Sequence, residues 1–130
     1  MLNGAAVAWK SKRQPIVALS TAEAEFVAAS SMIQETTYIR TLLHNLGFSQ
    51  TSPTMIYEDN ATCLKWANGA VGRTDRAKHI DLRQHFMHEA LEKKIVHLQN
   101  IKGTENVADI LTKPLVKAKF IPFRNTLMGI

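Results

Sequence analysis

The spacing of apolar and polar residues along the chain predicts a mixed α/β fold. Short apolar runs that are typical of strands occur at residues 2–9, 16–19, 54–59 and 95–101. Helical spacing of apolar residues, helix-capping residues and closing turns predict helices at residues 20–47, 60–67, 79–93 and 106–114. The predicted order is strand, strand, helix, strand, helix, helix, strand, helix, which describes a mixed sheet with helices packed against it.

The composition fits one soluble globular domain over residues 1–130, with a basic and apolar tail at about 115–130. Of the 130 residues, 45% are hydrophobic and 21% are charged, which is usual for a packed domain. Lysine and arginine outnumber aspartate and glutamate by 16 to 11, which favours a polyanionic partner over a membrane. No run reaches the roughly 18 apolar residues of a membrane span.

The single cysteine, Cys63, provides neither an internal disulfide nor a thiolate cluster for zinc. Its surroundings, Ala-Thr-Cys-Leu-Lys-Trp, favour a small buried residue on a helix over a nucleophile. The start of the chain lacks the pattern of an export signal. We therefore expect an intracellular protein of the cytoplasm or nucleus that is not secreted.

Three acids lie where a catalytic site would need them. Asp59 ends a predicted strand, and chemistry in open α/β sheets sits outside the carboxyl ends of strands. Taken alone, Asp59-Asn60 is more readily explained as an ordinary strand-to-helix turn, since Asp and Asn are the usual capping and turn residues. Glu25 lies early in the first predicted helix and Asp109 early in the last. Clusters of oxygen ligands suit Mg²⁺ or Mn²⁺ rather than zinc, and two such ions can promote phosphodiester hydrolysis.

Four motifs follow one another along the chain: VALSTAEAEF at 17–26, EDN at 58–60, KHIDLRQHF at 78–86 and VADILTKPL at 107–115. With these motifs the chain resembles, over nearly its whole length, the ribonuclease H domain of copia-type LTR retrotransposon polyproteins. The resemblance implies a ribonuclease H-like five-stranded mixed sheet flanked by helices. It also implies Mg²⁺-dependent cleavage of the RNA strand in an RNA/DNA hybrid.

By motif match, Glu25, Asp59 and Asp109 resemble the second, third and fourth of the family's four metal-binding acids. The first acid would lie on the opening central strand, and the 130 residues contain no counterpart of that strand. We therefore expect an N-terminally truncated domain that lacks the first central strand. We also expect an incomplete two-metal site and little or no cleavage by the chain alone.

The missing strand would leave unpaired backbone edges. Three arrangements would satisfy them: direct pairing of the remaining strands, self-association, or a strand donated in trans. The alternative to a hybrid-cleaving enzyme is a catalytically inactive remnant that acts as a nucleic-acid-binding or protein-interaction module.

Two basic segments are candidates for phosphate contacts. The first is a turn at residues 10–14, and the second is a loop at residues 71–78 together with His79. The candidate residues are Lys10, Lys12, Arg13, Arg73, Arg76, Lys78 and His79. By resemblance, Lys78 and His79 lie near the substrate groove. Trp9 or Trp66 are available for base stacking, although core packing is the more ordinary role of tryptophan.

One predicted helix carries several potential zinc ligands, namely His79, Asp81, His85, His88 and Glu89. The spacing does not match HExxH, and no cysteine accompanies it. Histidines on a helix surface are the favoured interpretation.

Overall fold

The computed structural model describes residues 1–12, 20–69 and 78–130, and for 78–81 it describes the helical backbone alone. The chain divides into two compact units. The central unit is Ile16–Ile101, and the terminal unit combines Met1–Pro15 with Lys102–Ile130. The predicted hairpin strand at residues 16–19 lies outside the described residues.

The central unit contains three helices and two strands among its described residues. In chain order they are α1 (Thr21–Asn45), β1 (Thr54–Glu58), α2 (Ala61–Ala67), α3 (Lys78–Glu92) and β2 (Val96–Asn100). The strands pair in parallel, with Thr54 opposite Val96 and Glu58 opposite Asn100. The sequence prediction of these five elements is confirmed, with boundaries that differ by no more than a few residues.

The described residues contain a two-stranded sheet, β1 beside β2. The five-stranded sheet that the resemblance implies is therefore not present within them. The mixed α/β class is confirmed, while the ribonuclease H-like topology stays a prediction.

Capping residues explain where the first two helices begin. The Ser20 hydroxyl accepts a hydrogen bond from the Glu23 backbone N–H at 3.1 Å. The Asn60 side-chain oxygen accepts from the N–H groups of Thr62 and Cys63 at 3.0 and 3.1 Å. Each cap satisfies N–H groups that have no partner inside the helix, so these two residues determine the start of α1 and of α2.

Side chains from every element of the central unit except β1 form its buried core, and Ile56 of β1 packs against it. The buried members are Phe26, Ala29, Ile33, Cys63, Ala67, Met87, Ala90 and Val96. Trp66 packs edge-on against Phe26, with ring centroids 5.9 Å apart. Trp66 is therefore part of the packing, as the ordinary interpretation of this residue predicts.

Arg40 connects α1 to the segment that leads into β1. Its guanidinium donates to the backbone carbonyls of Gln50 and Ser52 and to the Thr54 hydroxyl at 2.8–2.9 Å. A planar guanidinium can hold three acceptors at once because its donors have fixed directions. This contact positions the start of β1, and hence the strand whose other end carries the candidate acids.

The terminal unit corrects the prediction of a strand at residues 2–9. Its described residues form an isolated bridge between Leu2 and Ala5, closed by Asn3 and Gly4, which both have positive φ angles of 50° and 83°. An Asn-Gly pair with positive φ makes a tight turn, so the apolar run cannot continue as one strand. Ala6 instead donates its N–H to the Leu127 carbonyl at 2.8 Å.

The carboxyl-terminal part also differs from its prediction. The predicted helix at 106–114 is a short 3₁₀ helix, Val107–Leu111, that is capped by the side chain of Asn106. The tail then forms a helix that we did not predict, α4 (Lys117–Met128), with Pro122 in its interior and Gly129 after its end. Proline removes one helical hydrogen bond and commonly ends a helix. Pro122 therefore argues against a helix in the sequence, although α4 continues through it.

Candidate active site

The carboxyl end of β1 carries a buried acid, Glu58, which is not among the predicted site residues. Glu58 is 7% exposed, and one of its carboxylate oxygens accepts the Asn60 backbone N–H at 2.9 Å. Residues 54, 56 and 58 share one face of a strand, so Glu58 points the same way as Ile56, toward the core. That period-two pattern was the signal that could have identified it.

Glu58 has a raised pKa. Burial is the largest cause, because a charged carboxylate loses its hydration there. The negative charges of Glu25 and Asp59 raise the pKa further, while the hydrogen bonds from Asn60 and Cys63 oppose the shift. Glu25 and Asp59, two of the predicted site acids, therefore act on the same buried carboxyl group.

Two of these acids, Glu58 and Glu25, act on the pKa of the buried Cys63 thiol. Its side chain is fully buried, and burial raises the pKa of the thiol, as do the charges of Glu58 and Glu25 and its hydrogen bond to Glu58. A thiol with a raised pKa is a poor nucleophile because the thiolate is the reactive form. Cys63 thus packs in the buried core, in agreement with the prediction that it is structural.

Glu25 and Asp59 differ in exposure. Glu25 is on the exposed side of α1 in its second turn, and Asp59 is partly buried directly after β1. Glu58 and Asp59 thus lie at the carboxyl end of a parallel strand, and the charge of Glu25 acts on the pKa of Glu58. This is the position that α/β folds use for ligand binding.

Asp109, the third predicted site acid, belongs to the terminal unit. It lies in the 3₁₀ helix and is 7% exposed. The Lys113 ammonium donates to its Oδ1 at 2.6 Å, and the Lys119 ammonium lies 3.7 Å from its Oδ2. Both oxygens of this carboxylate therefore face a positive charge from the chain itself.

The donor chemistry suits a hard divalent cation, since all three predicted acids offer oxygen. Within the described part of the chain, no group of three or more histidine, cysteine, aspartate or glutamate side chains is placed to hold a metal ion. Glu25 and Asp59 belong to the central unit and Asp109 to the terminal unit, so the two-metal site that the resemblance implies stays a prediction.

The candidate nucleic-acid contacts are only partly described. Lys10 and Lys12 are exposed in the terminal unit, beside Trp9, whose side chain is 70% exposed. Arg13, Arg73 and Arg76 lie outside the described residues, as do the side chains of Lys78 and His79. Of the two tryptophans, Trp9 is thus the one with a ring available for stacking.

The described acids and histidines of α3 make ordinary surface contacts. Nδ1 of His88 lies 3.5 Å from Oε1 of Glu92. The ammonium group of Lys93 pairs with the carboxylate of Glu89 and lowers the pKa of Glu89. These pairs are four residues apart on exposed helix positions, where such contacts are common. They agree with the surface interpretation of these residues.

Comparison with known proteins identifies relatives of the chain, although no protein-family model and no solved structure matches it. It is 35% identical over 118 residues to the retrovirus-related Pol polyprotein from transposon TNT 1-94 of Nicotiana tabacum, which covers 91% of this chain and 9% of that protein. The chain is homologous to a segment of a retrotransposon Pol polyprotein.

Two relatives from Arabidopsis thaliana agree with this assignment. The Pol polyproteins from transposons RE1 and RE2 are 31% and 32% identical to the chain, over 93% and 90% of its length and 8% of theirs. The chain thus spans less than a tenth of each of these relatives. The retroelement origin predicted from the motifs is confirmed. No helix in the described ranges is both long and apolar enough to cross a membrane.

Proposed function

We propose that the chain is the ribonuclease H-like region of a retrotransposon Pol polyprotein and that it acts on RNA/DNA hybrids. The observation that carries this proposal is the position of Glu58 and Asp59 at the carboxyl end of β1, with the charge of Glu25 acting on the pKa of the buried Glu58. Homology to retrovirus-related Pol polyproteins supports it, because the motif resemblance is to the ribonuclease H domain of such polyproteins. The activity proposed for the assembled domain is cleavage of the RNA strand.

Positive charge would hold the substrate. The formal net charge is +5, and the exposed residues Lys10 and Lys12 provide ammonium groups for phosphate contacts. The exposed ring of Trp9, next to them in the chain, offers a stacking surface. The proposed phosphate contacts are Lys10, Lys12, Arg13, Arg73, Arg76, Lys78 and His79.

In this proposal Mg²⁺ or Mn²⁺ is the cofactor, and Glu25, Asp59 and Asp109 are the acids that would hold it. The resemblance implies a site of four acids, so cleavage requires one further ligand. A strand donated in trans by a different chain is the proposed source of the missing acid.

A second function, of a different class, is binding of nucleic acid without cleavage. The observation that favours it is the pairing of Asp109 with Lys113 and Lys119. These contacts take up the carboxylate oxygens that a metal ion would need. Such a module would keep the basic surface and need no metal.

A cleavage assay separates the two functions. The substrate is an end-labelled RNA/DNA hybrid with Mg²⁺ or Mn²⁺, and the proteins are the parent chain, Asp59→Asn and Glu25→Gln. If the chain is a nuclease, each substitution lowers the cleavage rate by at least about 100-fold, since each removes a metal ligand.

The matched control is Glu35→Gln, the same chemical change at an exposed position of α1. It should leave the rate unchanged. Hybrid binding without cleavage by the parent would support the binding module as the function of the chain by itself. A chain that neither binds nor cleaves the hybrid would contradict both functions.

A further inference from the structure

The excess of positive charge in the chain belongs to the terminal unit. Residues 1–15 and 102–130 contain eight lysine and arginine residues and two acids, whereas residues 16–101 contain eight and nine. The formal charges are therefore +6 for the terminal unit and −1 for the central unit. Because net charge governs the long-range attraction of a polyanion, the terminal unit is the part of the chain that attracts one.

Much of this charge is at the surface of the terminal unit. Its exposed basic side chains include Lys10, Lys12, Lys102, Lys117 and Arg124. One of the two acids, Asp109, is buried and already paired with lysines of the same unit. That pairing leaves little negative charge to repel an incoming polyanion.

Trp9 lines an apolar pocket in the same unit. The lining residues are Ala5, Ala6, Trp9, Leu111, Leu127 and Met128. The N–H of Ala6 donates to the carbonyl of Leu127 at 2.8 Å, which holds the amino-terminal segment against α4. Trp9 is nevertheless 70% exposed. The unit therefore presents a large aromatic face to solvent beside an apolar wall that is fixed in place.

Basic side chains accompany the pocket on two segments of the chain. Lys10 directly follows Trp9. On α4, Arg124 precedes Leu127 and Met128 by three and four residues, which is the spacing of residues on one face of a helix. Proteins that hold single-stranded nucleic acid combine positive charge along the backbone with aromatic rings on which bases stack. The terminal unit has both features.

A base can stack on Trp9 only if one of its faces is uncovered. Inside a duplex, neighbouring bases cover both faces, whereas the bases of a single strand can be splayed out. The side chains that line the pocket are apolar apart from the indole N–H of Trp9, so they provide no pattern of donors and acceptors that would distinguish the bases. Such a site recognises phosphates and base faces without reading sequence.

We propose that the terminal unit binds single-stranded nucleic acid, with an unpaired base stacked on Trp9 and phosphates contacted by Lys10, Lys12 and Arg124. The proposal deepens the proposed function, on which it rests for nucleic acid as the ligand. It adds a site for an unpaired strand that shares no residue with the acids at the end of β1.

Fluorescence anisotropy with a labelled oligothymidylate of about 12 nucleotides tests the ring contact in the 130-residue chain. Trp9→Leu keeps an apolar side chain and removes the aromatic face, so the affinity should fall at least about fivefold. Trp9→Phe should keep most of the affinity. The oligonucleotide should also quench the tryptophan emission of the parent but not that of Trp9→Phe, which comes from the packed Trp66.

Two results would overturn the ring contact. One is a parent chain that does not bind the oligothymidylate. The other is equal affinity in Trp9→Leu and the parent, with equal far-UV circular dichroism.

Salt dependence tests which unit provides the charge. Lys10→Gln combined with Lys12→Gln should reduce the slope of log affinity against log salt by about 1.4, at roughly 0.7 for each lost phosphate contact with a single strand. The matched control is Lys65→Gln combined with Lys94→Gln, the same change at two exposed lysines of the central unit. The control should keep the slope of the parent. Equal reductions in both variants would overturn the assignment to the terminal unit.

An acidic peptide is the competing occupant, and polyglutamate of about the same charge is its probe. We expect polyglutamate to bind at least about tenfold more weakly than the oligothymidylate, because it has no flat ring to stack on Trp9. Comparable affinity would overturn nucleic acid as the ligand. These assays contain neither hybrid nor metal, so they can succeed when the hybrid assays fail, and the reverse also holds.

Discussion

Replacing Phe26 with alanine is expected to lower the free energy of unfolding of the central unit by about 3–5 kcal/mol. Phe26 is fully buried and contacts Trp66 edge-on at 5.9 Å. The substitution removes an aromatic side chain from between α1 and α2 and leaves a cavity that neighbouring side chains fill only partly. Urea denaturation followed by circular dichroism measures the loss.

Phe48→Ala is the matched control for this prediction. It makes the same chemical change at a side chain that is 67% exposed. We expect a change of at most about 0.5 kcal/mol, as for other surface substitutions. A loss in Phe26→Ala no larger than that in the control would contradict the core described here.

Glu58→Gln is expected to make stability less dependent on pH. The folded protein raises the pKa of Glu58 above 4.5, the ordinary value, so near and above that pH the folded chain keeps a proton that the unfolded chain has lost. The contribution of this group to stability is therefore complete below the ordinary pKa. It is lost as the pH rises through the raised value, because a charged carboxylate must then stay buried.

Glutamine keeps an oxygen for the Asn60 N–H and carries no charge. We expect Glu58→Gln to be more stable than the parent by about 1 kcal/mol at pH 8, with the difference shrinking toward pH 5. Urea midpoints across that range measure it. Glu35→Gln, at an exposed position, should follow the parent at each pH. A parent whose stability relative to Glu58→Gln grows with pH would contradict the assigned direction.

Local signals predicted most of the central unit correctly. Ser20 and Asn60 are strong caps whose hydrogen bonds reach only two or three residues along the chain. The apolar run that became β1 is likewise recognisable from neighbouring residues. Such features are predictable from a sequence because the interacting groups are close in it.

Features that depend on distant residues were harder to predict. The contact between Asp109 and Lys119 joins a 3₁₀ helix to α4 across Pro114, and no spacing rule connects them. The raised pKa of Glu58 depends on Glu25, more than thirty positions earlier. The wrong prediction of a strand at 2–9 has a local cause. The apolar residues favoured a strand, but Asn3-Gly4 forms a turn within the run.

The most direct test of the central claim is the affinity of the chain for an RNA/DNA hybrid as a function of salt, measured by fluorescence anisotropy against a DNA duplex of equal length. We expect tighter binding to the hybrid than to the DNA duplex. We also expect the affinity to fall by at least about tenfold between 50 and 200 mM salt, because phosphate contacts release counterions. Equal affinity for both duplexes, or binding that does not change with salt, would contradict it.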